Sequence, residues 1–178
     1  MGFWDNKRKA NKEREAENMG LFDAFKKKGI EIGSPVKGKC VSIKEVSDPT
    51  FSEEILGKGV AVIPSDGKIY APADGVVTTM FPTGHAVGMT TADGAEILVH
   101  VGLDTVALKG EGFHIICEEE QKVKKGDLLI EADLEKIKEA GYDLITPVIV
   151  CNSGDYAEVN GTVGQDVEPG DKILEIKK

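Results

Sequence analysis

The stretch His85-Ala-Val-Gly-Met-Thr-Thr-Ala-Asp93-Gly94-Ala-Glu-Ile-Leu-Val-His100 determines the predicted fold. Two apolar arms flank Asp93-Gly94, a dipeptide typical of the two-residue turn of a β-hairpin. Such a turn pairs His100 with Val87 and puts His85 on the same face, two residues further along. Diagonal neighbours of this kind have Cα atoms roughly 7–8 Å apart. We therefore predict that the two histidine rings converge, whereas a one-residue slip in register would put them on opposite faces.

The same register gives each face of the hairpin a character. One face is the predicted core face and carries alternating aliphatic side chains, namely Ile97, Val99, Val101 and Leu103. The other face carries apolar side chains around the two histidines, namely Val87, Met89 and Leu98. Polar rings framed by apolar side chains indicate a docking surface for another protein. The alternative is that another strand covers Met89 and Leu98.

From Ile30 onward, the chain consists of short apolar runs separated by turn signals such as Pro72-Ala-Asp-Gly75. The run from Val123 to Glu131 recurs from Val167 to Glu175, which indicates related halves. The 178 residues include 21 Gly and 7 Pro, a composition that favours many short strands in one domain. We predict an all-β fold, an antiparallel sandwich or flattened barrel over residues 30–178, with short helical turns after Asp48 and from Asp133 to Ala140.

Charge separates an N-terminal leader, residues 1–29, from this domain. Residues 1–28 hold eight basic and five acidic side chains, whereas the rest of the chain holds 14 basic and 26 acidic ones. The leader repeats a Met-Gly-apolar box at Met1 and at Met19. It is either a disordered tail or an amphipathic helix that docks weakly on an anionic membrane.

Composition also excludes several classes of function. The net charge of −9 argues against a nucleic-acid partner, because phosphate contacts dominate that affinity. Cys40, Cys117 and Cys151 form no C-x-x-C pair, and each lies in an apolar run where burial is expected. No apolar run approaches the roughly 20 residues that span a bilayer. We expect a cytoplasmic protein with reduced thiols.

The histidine pair suits phosphoryl chemistry. An imidazole nitrogen is a good nucleophile near neutral pH, and a second ring can donate hydrogen bonds to the added oxygens. A zinc site needs three or four ligands, and only Asp104 lies near enough in sequence to be a third. We therefore expect no metal and no cofactor, with adventitious zinc on His85 and His100, alone or with a partner's carboxylate, as the alternative. The third histidine, His114, is expected to be structural.

These residues resemble the glucose-type enzyme IIA of the bacterial phosphotransferase system. The resemblance covers about residues 30–178. It rests on His85 and on segments that follow the family's order and spacing, namely Glu96–Val106, Leu108–Phe113, Ala71-Pro72-x-Asp74-Gly75, Val123-x-x-Gly126-Asp127, Thr146-Pro147-Val148 and Gly170-Asp171. Two positions depart from it, since Gly84 is commonly Asn and Ala107 commonly Glu in the family.

The resemblance implies a phosphotransferase that takes phosphate from the phosphohistidine of the carrier HPr and passes it to a cysteine of a sugar-specific enzyme IIB. His100 would be the phosphorylated nucleophile, His85 would stabilise the phosphoryl group, and Thr83 would position a ring. Asp48 and Asp104 would face basic residues of HPr. The implied apolar surround consists of Phe51, Ile55, Phe81 and Val106.

Three other classes of protein remain as alternatives. A lipoyl or biotinyl carrier shares turns of this kind, but it needs a modifiable Lys at a hairpin tip, and Ala92-Asp93-Gly94 has none. A zinc peptidase shares the spacing of His100 and Asp104, but it needs an H-x-H pair that the sequence lacks. A regulatory binding module of the same fold without transfer activity is the third.

Overall fold

The structure is a computed structural model that describes residues 29–178. The predictions about a disordered or membrane-binding leader fall on residues 1–28 and lie outside the described residues. In the described part, two short helices and three 3₁₀ turns, at Ile43–Glu45, Thr105–Leu108 and Ser153–Asp155, accompany the strands. The longer of the two helices has six residues, so nothing helical in residues 29–178 could cross a bilayer.

The strands and helices are, in chain order, β1 (Ile30–Gly33), β2 (Gly38–Ser42), α1 (Pro49–Ser52), β3 (Lys58–Pro64), β4 (Lys68–Tyr70), β5 (Gly75–Met80), β6 (Ala86–Thr91), β7 (Glu96–His100), β8 (Phe113–Ile115), β9 (Lys122–Val123), β10 (Leu128–Ala132), α2 (Leu134–Glu139), β11 (Thr146–Val150), β12 (Glu158–Gly161), β13 (Asp166–Val167) and β14 (Lys172–Lys177).

The strands form one large sheet and two small ones. The large sheet has the order β13-β2-β3-β11-β7-β6-β5-β9, and the small sheets have the orders β1-β14-β12 and β4-β10-β8. Every pairing is antiparallel, which confirms the predicted all-β class. The main core joins all three sheets through buried aliphatic side chains, among them Ile32, Ile69, Ile97, Ile130 and Ile176.

The internal repeat seen in the sequence is a repeat of structure. Asp127 accepts a hydrogen bond from the backbone N–H of Lys124, and Asp171 accepts one from Glu168, each at 2.8 Å. In both turns the next-to-last residue is a glycine with φ near +94°, Gly126 and Gly170. This left-handed conformation favours glycine, which explains why both copies keep it.

A second core lies on the other face of the large sheet. It consists of buried side chains from β2, β3, β11 and the loops beside them, namely Val41, Ile43, Val46, Phe51, Ala61, Leu103, Ile145 and Ile149. Helix α1 supplies Phe51, and the Asp48 carboxylate caps this helix by accepting a 3.0 Å hydrogen bond from the N–H of Thr50. Burying a phenylalanine of this kind contributes roughly 1.5–3 kcal/mol.

The β6–β7 hairpin is present, but its predicted register is wrong by one residue. Val87 pairs with Val99, and Ala86 pairs with His100. The loop has three residues, Ala92-Asp93-Gly94, because the backbone N–H of Thr91 bonds to the carbonyl of Ala95 at 2.8 Å and pairs these two residues. The Thr91 hydroxyl also accepts a 3.0 Å bond from the N–H of Ala95.

The changed register reverses the expected side of two residues. Val87 and Met89 lie beside Val99 and Ile97 in the main core, each 2% exposed, so their predicted place on a docking surface is wrong. Leu98 is half-buried against the second core. Leu103 is buried as predicted, but in the second core rather than the main one.

The cysteines differ from one another in exposure. Cys40 and Cys117 are buried, as predicted. Cys151 is exposed, because it lies just beyond the end of β11, where the strand leaves the covered part of the sheet. The prediction that Cys151 is a buried core residue is therefore wrong.

Candidate functional site

His85 and His100 meet at the end of the β6–β7 hairpin. Their ring centroids are 5.1 Å apart, and the ring planes are inclined by 78°. The rings converge despite the one-residue change in register, because His85 precedes β6 and follows Gly84, a left-handed glycine with φ +73°. Strict alternation of faces therefore does not extend to His85. Left-handed backbone suits Gly and Asn, the residue usual here in the resembled family.

His100 is held with one nitrogen free. Its Nδ1 lies 2.7 Å from the carbonyl oxygen of Gly102, which can only accept, so Nδ1 carries the hydrogen. The lone pair of the neutral ring is then on Nε2. Burial lowers the pKa of His100, and the Gly102 carbonyl and the charges of Asp48 and Asp104 partly oppose this effect.

His85 is the more deeply buried ring, with 5% of its surface exposed. Burial, with a further contribution from the charge of His100, lowers its pKa to about 4. The Thr83 hydroxyl forms a hydrogen bond with His85 Nδ1. If this hydroxyl donates, the hydrogen of the neutral ring is on Nε2, from which it can be donated to an anion.

Two aromatic rings bracket the pair. The Phe51 ring lies 5.1 Å from that of His100, and the Phe81 ring packs edge-on against His85 at 5.2 Å. Phe51 belongs to the second core and is 4% exposed, so α1 provides a rigid wall for His100. These contacts hold both rings in place, although His100 is only partly buried.

Two carboxylates, those of Asp48 and Asp104, lie near His100. Asp104 is exposed and has left-handed backbone, φ +59°, an uncommon conformation for a residue other than glycine. Asp48 and Asp104 are both near enough to raise the pKa of His100 against the effect of burial. Ile55 and Val106 are exposed apolar side chains, 67% and 52% exposed respectively.

An open groove of about 310 Å³ lies on the outer face of β5, β6 and β7. Phe81, which contacts His85, lines it together with Leu98 and Cys151. The groove thus lies next to the histidine pair, since Phe81 belongs to its lining and also contacts His85. Sequence reasoning missed both the groove and the role of the Gly102 carbonyl, since neither depends on a side-chain pattern.

The metal alternative has no third ligand in this part of the chain. No group of three or more His, Cys, Asp or Glu side chains is arranged to hold a metal ion in residues 29–178, and Asp104 does not complete one with His85 and His100. The third histidine, His114, lies exposed on β8, away from the pair in sequence.

Comparisons with known proteins point to one family. The family described as phosphoenolpyruvate-dependent sugar phosphotransferase system, EIIA 1, matches residues 30–156. The glucose-specific EIIA component of Haemophilus influenzae is 41% identical over 166 residues, which cover 90% of this chain and all of that protein. A solved structure, the glucose permease IIA from Mycoplasma capricolum, superposes with a TM-score of 0.76 at 36% identity and covers 83% of this chain and 95% of its own.

Other relatives are much longer than this chain. The beta-glucoside-specific EIIBCA components of Halalkalibacterium halodurans and Bacillus subtilis are 47% and 51% identical over 83% and 71% of this chain. The matched regions make up only 23% and 21% of those relatives. This chain therefore spans about a quarter of their length at most.

Proposed function

Because the chain belongs to the EIIA 1 family of the phosphoenolpyruvate-dependent sugar phosphotransferase system, we propose that it is a phosphocarrier that accepts a phosphoryl group on His100. One observation carries the proposal. The hydrogen bond from His100 Nδ1 to the Gly102 carbonyl leaves the Nε2 lone pair free beside a second buried imidazole. A neutral imidazole with an unoccupied nitrogen is the form that attacks phosphorus.

The accepting step begins with the phosphohistidine of HPr. The lone pair of His100 Nε2 forms the new nitrogen–phosphorus bond, while the bond from phosphorus to the donor ring breaks and leaves its electron pair on that ring. No proton has to leave His100, since its hydrogen stays on Nδ1, bonded to Gly102. Transfer of this kind depends chiefly on in-line placement and on stabilising the charge of the phosphoryl oxygens.

His85 would supply part of that charge stabilisation. Its ring lies 5.1 Å from that of His100, and the hydroxyl of Thr83 bonds to its Nδ1. With the hydrogen on Nε2, His85 donates to a phosphoryl oxygen on the neighbouring ring. The low pKa of His85, about 4, keeps the ring neutral before the phosphoryl group arrives.

Charge and shape support HPr as the donor. The exposed carboxylate of Asp104 and the partly exposed one of Asp48 flank His100, and an acidic rim attracts a basic partner surface and orients it. Ile55 and Val106 are exposed apolar side chains close in sequence to Asp48 and Asp104, and we propose that they add apolar area to the docking surface. We propose that HPr and this chain react in the cytoplasm.

The proposed acceptor is a cysteine of a sugar-specific enzyme IIB. Its thiolate attacks phosphorus, and the electron pair of the broken bond returns to His100 Nε2. The relatives named EIIBCA components support this acceptor, because their name joins EIIB with EIIA in one chain. The region that matches our chain is about a fifth of their length.

Intact-protein mass spectrometry tests the proposal. The chain is incubated with phosphoenolpyruvate, enzyme I and HPr and kept alkaline, since phosphohistidine is acid-labile. Wild type should gain one phosphoryl mass, and His100→Ala should gain none. His85→Ala should still accept the group but donate it poorly to IIB. His114→Ala, which changes an exposed histidine on β8, is the matched control and should behave as wild type.

Two results would contradict the proposal. Phosphorylation of His100→Ala at the wild-type rate would remove the assigned nucleophile. No mass gain by wild type would mean that the domain is a regulatory binding module, and the search would turn to proteins that dock beside His85 and His100.

A further inference from the structure

The backbone that follows His100 turns sharply twice. Gly102 and Asp104 both have left-handed backbone, with φ of +77° and +59°. Between these turns, the carbonyl of Gly102 must point back at His100 to accept its Nδ1–H. A non-glycine residue in this conformation persists only where its surroundings fix it. The groups that fix this turn therefore determine the orientation and the tautomer of the His100 ring.

Thr105 is the side chain that closes the turn. It is fully buried, and its hydroxyl donates a 2.6 Å hydrogen bond to the carbonyl of Val101. Its methyl group packs on Gly102, since a Cβ built there would lie 2.7 Å from Thr105 Cγ2. The carbonyl of Asp143 confines Gly102 as well, at 2.8 Å from the same Cβ position, and accepts a bond from the N–H of Leu103.

We propose that Thr105 is a positioning residue for His100. Its hydroxyl and methyl group hold the turn so that the Gly102 carbonyl stays aimed at Nδ1, which keeps the hydrogen on Nδ1 and the lone pair on Nε2. The inference rests on the proposed function of His100, and it adds a residue that touches neither the ring nor a partner.

Removing the hydroxyl should release this arrangement. The Val101 carbonyl would lose its side-chain partner, and the turn would be held by backbone bonds alone, from Leu103 to Asp143 and from Ala107 to Asp104. The Gly102 carbonyl could then rotate away from His100. The ring would populate both neutral tautomers, and the tautomer with hydrogen on Nε2 has no lone pair there with which to attack phosphorus.

Nitrogen-15 NMR of the imidazole rings, without phosphate, reads the tautomer directly. We expect wild type and Thr105→Ser to show His100 with its hydrogen on Nδ1, and Thr105→Val to show a mixture. The matched control is Thr91→Val, which removes a buried hydroxyl bonded to backbone at the opposite end of the same hairpin. It should leave the His100 signals unchanged.

Phosphoryl acceptance gives the second readout. At saturating phospho-HPr, the maximal rate of Thr105→Val should fall about tenfold, the lower end of the range known for groups that orient metal-bound histidines. The half-saturating concentration of phospho-HPr should stay the same, because the docking surface is unchanged. Thr105→Ser should restore the rate.

The outcomes separate the two proposals. The positioning role would be overturned if Thr105→Val kept the wild-type His100 tautomer and the wild-type rate of phosphoryl acceptance. It would also be overturned if Thr91→Val lost as much of that rate as Thr105→Val. Absence of phosphorylation in wild type would overturn the proposed function, while the tautomer measurement would still decide whether Thr105 fixes the ring. If Thr105→Val does not fold, the exchange rate of the Thr105 hydroxyl proton is measured in wild type instead. Rapid exchange with water would contradict a lasting hydrogen bond from this hydroxyl to the Val101 carbonyl.

Discussion

Acid should destabilise this domain through His85. Unfolded His85 takes up a proton below about pH 6.5, its ordinary pKa, but the folded ring does so only below about pH 4. Between these values the unfolded chain binds more protons, so stability falls as the pH falls. The contribution is intact above pH 6.5 and is largely lost by pH 4.

The size of this loss follows from the two pKa values. Each unit of difference is worth about 1.4 kcal/mol. From pH 7.5 to pH 4.5, about two units of the window are crossed, so the free energy of unfolding should fall by about 2–3 kcal/mol through His85 alone. The ring is 5% exposed, so solvent screens this effect little.

Urea unfolding of wild type and His85→Gln at pH 7.5 and pH 4.5 measures the effect. His85→Gln should lose about 2–3 kcal/mol less than wild type between the two pH values, whatever its stability at pH 7.5. His114→Gln, which changes an exposed histidine, is the control and should keep the wild-type difference. An equal loss in wild type and His85→Gln would refute the reasoning that a buried neutral ring is responsible.

Three further predictions concern the site and the leader. Gly102→Ala should lower the free energy of unfolding by at least about 1–2 kcal/mol, the cost of left-handed backbone, as measured by urea unfolding, and should slow phosphoryl acceptance. Asp104→Asn keeps a residue that tolerates this conformation but removes the charge; stopped-flow association with HPr should slow most at low salt, and an unchanged rate would contradict the acidic rim. Deleting residues 1–28 should weaken sedimentation with anionic vesicles at low salt, and unchanged binding would reject the membrane hypothesis.

The sequence predicted the class of fold well because its signals are local. Repeated turns with Asp127 and Asp171 and alternating apolar runs are sufficient for an antiparallel β fold. Register is less local. Asp93-Gly94 favours a two-residue turn, but the backbone N–H of Thr91 bonds to the carbonyl of Ala95 and closes a three-residue loop, a pairing that dipeptide preferences do not reveal.

The sequence identified the two histidines of the site, but not the backbone geometry that brings their rings together. The convergence of His85 and His100 was expected from strand alternation, yet it arises because the chain leaves the strand at Gly84. The exposure of Cys151 and the burial of Phe51 against β2, β3 and β11 depend on how segments distant in sequence pack together. Such long-range packing leaves no periodic signal in the sequence.

The contrast among the three cysteines gives the protein a natural attachment point for a reporter. A thiol-reactive fluorophore would reach Cys151, whereas Cys40 and Cys117 are shielded. Burial and the nearby charge of Glu96 raise the pKa of the Cys151 thiol, so coupling should proceed best under mildly alkaline conditions. Because Cys151 lines the groove shared with Phe81, the emission of a dye at this position would test in real time whether HPr, the proposed donor, docks beside the groove.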